Sequence, residues 1–180
     1  MGGKDNGPPV QDCGSVRHWS SAFGSPDPHR RGPDQLGPLQ ARHTQCVMEQ
    51  HDSSIRASSV GRLPSWVVTG YQFPTLARVT YRGDSRPVDS IRAEVVRRWG
   101  LSFLRDSSMA KAFHREYLFQ EGQRSLWLPV QDTVASYFTR ELKPGQDVTL
   151  YVLWLGAYYA GHDITWAFIV TEFKADATQR

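Results

Sequence analysis

The run from Val148 to Phe173, VTLYVLWLGAYYAGHDITWAFIVTEF, decides how the chain folds. Val148 to Tyr159 and Ile164 to Phe173 are β-branched and aromatic, a composition suited to a pleated surface. Ala160-Gly161-His162-Asp163 separates them and reads as a four-residue hairpin loop, with Gly161 where a positive φ is needed. Pairing Tyr159 with Ile164 sorts the side chains. One face takes Tyr151, Leu153, Leu155, Ala157 and Tyr159 with Ile164, Trp166, Phe168 and Val170, and is expected to be core. The other takes Leu150, Val152, Trp154, Gly156 and Tyr158 with Thr165, Ala167, Ile169, Thr171 and Phe173.

Working backwards, Pro144-Gly145 ends a short helix. Asp132 or Thr133 is its expected cap, and Val134, Tyr137, Phe138 and Leu142 its apolar stripe. Before it, Tyr117–Glu121 and Arg124–Leu128 flank Gly122-Gln123, a Gly-first pair suited to a type II′ turn. Tyr117, Phe119, Leu126 and Leu128 share its inner face; Leu118, Gln120, Ser125 and Trp127 share the outer one. Upstream, Trp66–Thr69 and Leu76–Tyr81 read as strands, with Gly83-Asp84 as the exit turn. A helix beginning near Pro87, capped by Asp84 or Ser85, carries Val88, Ile91, Val95 and Trp99 and stops at Gly100. A second short helix is expected over Ser107–Arg115.

The first 62 residues differ in kind. They are rich in Gly, Pro, Ser, Gln, His and Arg, with large apolar residues scattered without period. Such a segment buries too little surface to offset chain entropy, so a disordered leader is expected over 1–62 and a single compact β-rich domain over 63–180. A second expectation is that this leader is translated from upstream of a later start, for which Met48 is available.

Composition narrows function mainly by exclusion. The 180 residues carry a formal charge of +3, too little to imply nucleic acid by itself. Arg outnumbers Lys and Asn6 is the only Asn, which reads as the bias of a GC-rich genome. Cys13 and Cys46 lack CxxC spacing and suggest no disulfide framework. His18, His29, His43 and His51 are too dispersed to close a metal site. No GxSxG, HExxH, P-loop or GxGxxG occurs. Neither a secretory h-region nor a run long enough to span a membrane is visible, so a cytoplasmic protein is expected. Catalytic residues, metals and cofactors are all expected to be none.

The order strand, hairpin, helix, hairpin resembles an OB-type Greek-key barrel, in which the helix falls between the third and fourth strands. The resemblance spans Leu76 to Ala175, with Val88–Arg115 as a helical insertion. It implies an α+β fold: a small antiparallel β-barrel or strongly bent sheet with one or two packed helices. A cystatin-like or nuclear-transport-factor-like (NTF2-like) open α+β sheet is the alternative. Leu126–Gln131 and Lys143-Pro144-Gly145 also resemble stretches of small bacterial proteins, which implies no mechanism.

Trp154, Tyr158 and Phe173, sharing a face with small Gly156 and Ala167, make a notch bounded by rings. Rings of this kind stack bases or sugars; the competing reading is that a helix packs into the notch. With Trp127, Arg97 and Arg98, these are the candidate binding residues of a non-enzymatic binding or interaction module. Its expected partner is another protein or a second copy, with single-stranded nucleic acid or glycan as further options. The rivals are a small hydrolase or isomerase-like enzyme with a pocket near His114, Tyr117 and Trp127, and a structural homo-oligomer subunit. Arg97 and Arg98 also have a plain explanation, a solvated helix face with Glu94 and Arg98 as an i,i+4 pair.

Overall fold

The computed structural model describes residues 44–59, 64–70 and 74–175. The elements are α1 (Thr44–Ser59), β1 (Ser65–Val68), β2 (Pro74–Pro87), α2 (Ser90–Trp99), β3 (Arg115–Glu121), β4 (Arg124–Val130), α3 (Asp132–Glu141), β5 (Asp147–Ala160) and β6 (Asp163–Ala175). A π-helical turn (Gly100–Leu104) and a 3-10 turn (Ser107–Ala112) follow α2. The fold is α+β, with one six-stranded mixed sheet.

The sheet is ring-like. β2 pairs with β3, β3 with β4, β4 with β6, β6 with β5, and β5 returns to β2. All of these are antiparallel except β4–β6, which meets at Val130 and Val170. β5 is long enough to serve two strands along one edge. Asp147–Leu153 pairs with β2, and Gly156–Tyr159 pairs with β1.

The β5–β6 hairpin keeps the expected Tyr159–Ile164 pair, but Ala160 also pairs with Asp163, leaving a turn of only Gly161-His162. Two bulges then change the sorting of faces. The register slips between Trp154 and Gly156, leaving Leu155 as the extra residue on β5. It slips back between Tyr151 and Val152, leaving Thr171 extra on β6. A bulge reverses the alternation beyond it. Leu150, Val152 and Trp154 therefore point into the ring, together with Ala157, Phe168 and Val170. Leu155 instead lies outside the ring, with Ala167 and Ile169. The expected core face is thus correct for Ala157 through Val170 and reversed for Tyr151, Leu153 and Leu155.

The outward apolar patch is covered by α2. Val95, Val96 and Trp99 pack on Leu153, Leu155, Ala167 and Ile169. Small Ala167 lets the helix approach, so a helix does occupy part of that face. The helix is capped later than expected, by Asp89, whose carboxylate accepts from Ile91 N and Arg92 N. β2 does not end at the expected Gly83-Asp84 turn but runs on to Pro87. Gly83 has φ +89 and its Cα sits close to Pro144, so the strand bends where it passes from β5 to β3.

α3 buries Phe138, and its C-cap residue Leu142 is buried as well. Phe138 meets Tyr81, Tyr117, Phe119 and Phe173 edge-on. Tyr137, expected in the stripe, is 46% exposed, and Gln131 rather than Asp132 is the N-cap.

Thr44–Ser59 corrects the expected leader. These residues form α1, with Val47, Met48 and Ile55 in the ring's core cluster. Thr44 is buried, its backbone N–H donating to Glu121 Oε1 at 3.0 Å and its hydroxyl to Glu121 Oε2. Their apolar residues at 47, 48 and 55 are near-helical in spacing, but Ser, Gln and His between them mask it. The rest of the expected leader, with Cys13, lies outside the described residues.

Two outcomes follow. Gly156 has φ +150, and an added Cβ would lie 2.0 Å from Val67 O. Gly156→Ala should therefore separate β1 from β5 and cost roughly 3 kcal/mol in chemical denaturation. His51 stacks on Trp154 at 4.4 Å, and burial lowers its pKa. The unfolded chain then binds the proton more tightly, so this contribution is complete above about pH 6.5 and is lost as pH falls below that value. Thermal midpoints of the native chain should drop on acidification by more than those of His51→Phe.

Candidate functional site

Alternation on β3 sends Tyr117 and Phe119 into the ring and Glu116, Leu118 and Gln120 out of it. On β4 it sends Leu126 and Leu128 in and Trp127 out. Leu118 lies opposite Trp127, and Glu116 opposite Pro129. On the other side of β3, Arg86 of β2 lies opposite Glu116. Strand pairing thus brings Arg86, Glu116 and Trp127 onto one outer face.

Glu116 is fully buried. Arg86 Nε donates to its Oε1 at 2.5 Å, and Arg92 Nη1, from α2, donates to its Oε2 at 3.3 Å. A buried carboxylate is tolerated only when paired and hydrogen-bonded, and here two guanidinium groups share it. The pairing leaves a surplus positive charge, and Arg86, with a side chain 46% exposed, is the more accessible of the two. Its guanidinium carbon lies 4.1 Å from the Trp127 ring centroid, a cation–π contact. Glu116 therefore holds Arg86 in place over a half-buried indole. Nearby, Arg115 donates to the Ser85 carbonyl and hydroxyl.

A second cluster lies beside α2. Trp66 meets Tyr158 at a tilt with ring centroids 4.3 Å apart, and Arg98 sits over Trp66 at 4.9 Å. Glu94 bonds both Arg97 (2.6 Å) and Arg98 (2.8 Å). These bonds, Arg97 foremost, hold the Glu94 pKa at about 2. Because the pairs are partly open to water, they are screened and contribute little to stability.

His114 lies just before β3 and takes a different partner from Glu116. His114 Nδ1 meets Asp132 Oδ2 at 2.6 Å, and His114 N donates to Asp132 Oδ1. Partial burial opposes ionisation of Asp132, yet these bonds leave its pKa lowered. Tyr117 points into the ring and Trp127 out of it, so His114, Tyr117 and Trp127 line no common pocket. An open groove of about 230 Å³ lies instead between α3 and β6, lined by Thr133, Val134, Tyr137, Thr171, Glu172 and Phe173. Among the described residues, no three His, Cys, Asp or Glu side chains converge as a metal site.

The sequence-derived binding set is dispersed. Trp154 is 5% exposed and donates its Nε1–H to Gly156 O. Phe173 packs against Phe138. Only Tyr158 remains outside the ring, so the three rings do not share a face; the bulges at Leu155 and Thr171 separate them. Arg97 and Arg98 join through Glu94, and Tyr158 and Arg98 meet through Trp66. Trp127 stands elsewhere, with Arg86. Arg86, Glu116 and Trp66 were not singled out from the sequence. A charged residue set inside a strand next to aromatic Tyr117, as Glu116 is, was the available signal. Comparison with known protein families, curated proteins and solved structures finds no match.

Replacing Glu116 by Gln removes the charge that offsets two arginines, and breaking a buried pair of this kind costs roughly 3–5 kcal/mol. Glu116→Gln should therefore unfold at markedly lower denaturant than Glu94→Gln, which should stay within about 1 kcal/mol of the native chain. Equal midpoints for the two variants would refute the assignment.

Proposed function

We propose that the chain is a non-enzymatic binding module of the OB type, whose outer sheet face at Trp127 and Arg86 receives single-stranded nucleic acid. The ring order β2-β3-β4-β6-β5, with α3 between β4 and β5, supports the OB-type reading of the fold. In such barrels the face of the second and third strands takes oligonucleotides or oligosaccharides. Here those strands are β3 and β4, which carry Trp127. The fold alone implies no function; the observation that carries the reading is the Arg86–Trp127 pair anchored on Glu116. An indole and a guanidinium plane offer stacking surfaces for bases, and the surplus charge suits a phosphate.

The absence of a common pocket at His114, Tyr117 and Trp127 weighs against the enzymatic reading. No helix among the described residues is long and apolar enough to cross a membrane.

The test is tryptophan fluorescence of the full chain, titrated with mixed-sequence single-stranded DNA at two salt concentrations. Saturable quenching that weakens with salt is expected. Trp127→Ala should lose roughly 1–3 kcal/mol of binding, and Arg86→Ala should flatten the salt dependence. Trp154→Phe should leave the affinity unchanged, because that ring is buried. Absence of quenching at both salts, or a Trp127→Ala chain that binds normally, would overturn the reading.

A further inference from the structure

The insertion between β2 and β3 displays a surface that the face at Trp127 does not use. Residues 101–108 are exposed without interruption. Within them Leu101 is 53%, Phe103 43% and Leu104 52% exposed. Three large apolar side chains within four residues of a solvent-facing turn are costly to leave in water and are a mark of an interaction site.

The turn is pinned from behind. Asp106 N donates to Gly100 O at 3.1 Å, closing the loop. Gly100 lies so near this closure that an added Cβ would sit 2.5 Å from Asp106 O. Phe103 leans on Trp99 at 5.8 Å, and Arg105, at φ 56, ends the π turn in the left-handed conformation. The apolar tips are therefore held outward by backbone closure rather than by a flexible loop. Along the segment that carries them, Arg97, Arg98, Arg105 and Lys111 outnumber the carboxylates Glu94 and Asp106. Both arginines that pair with Glu94 keep side chains 43% exposed.

We infer that this turn is a membrane-surface anchor, and that its occupant is an anionic lipid bilayer. Three arguments select that partner. A run of eight exposed residues suits insertion into a surface. The tip is apolar and its flanks are basic, the order in which acyl chains and acidic headgroups are met on entry. The apolar patch consists of three side chains, too few to hold two copies of the chain together stably.

The experiment is co-sedimentation of the full chain with phosphatidylcholine vesicles, with and without phosphatidylserine. Binding is expected to require phosphatidylserine and to weaken with salt. Leu101→Ser/Leu104→Ser removes two tips that touch little of the fold, so its thermal midpoint should match the native chain while vesicle partitioning falls at least about tenfold. Arg105→Gly suits the left-handed backbone and should reduce partitioning by about fivefold, the worth of one basic residue near the headgroups. The inference is overturned if the chain sediments with neither vesicle, or if the double variant binds as the native chain does. It is equally overturned if sedimentation velocity shows a dimer that the double variant dissolves, since the patch is then covered by a second copy. The vesicle result is independent of single-stranded DNA binding, which Trp127→Ala reads and Leu101→Ser/Leu104→Ser does not.

Discussion

The structure depends on the path of β5. One strand of fourteen residues holds β6 along one edge and β2 followed by β1 along the other. Each hydrogen-bonding edge is used almost to its end, so β5 cannot shift without unpairing three neighbours. The paired bulges at Leu155 and Thr171 make this geometry workable. They add twist where the strand passes from one partner to the next. They also turn Leu150, Val152 and Trp154 into the ring while leaving Leu153, Leu155 and Ile169 as a seat for α2. Gly156 then lets the β1 backbone lie against β5 where any side chain would collide.

Charge is used differently inside and outside this frame. Glu116 is buried between Arg86 and Arg92, where removal of one partner leaves an uncompensated charge in a poor solvent. It acts as a positioning group, since Arg86 owes its place over Trp127 to that bond. Glu94 makes shorter bonds to Arg97 and Arg98 than Glu116 makes to Arg92, but water screens them. Glu121 plays a third part, joining the β3–β4 turn to the start of α1 through Thr44.

Much of the fold was legible in the residues. Gly122-Gln123 marks the first hairpin, and the alternation around it places Phe119 and Leu128 inside and Trp127 outside, as found. Pro144-Gly145 ends α3 where helix-breaking chemistry says it should. The candidate site was less legible. Trp154, Tyr158 and Phe173 have the spacing of one face in an uninterrupted ladder, and no local signal distinguishes a bulged strand from a regular one when nearly every residue is apolar. Arg86 and Glu116 are thirty positions apart, and only strand pairing makes them neighbours.

Local chemistry thus determined the hairpins, the α3 helix and the α+β character, because turn residues and side-chain alternation act over a few positions. The chain also carries none of the GxSxG, HExxH, P-loop or GxGxxG patterns. Tertiary structure alone decided that the sheet returns on itself, that Trp154 and Phe173 are core, and that Thr44–Ser59 is a helix. It also decided which arginine stands over which indole. Each of these depends on pairing register or on burial against distant strands, and a one-residue bulge is enough to reverse a face without leaving a mark in the composition.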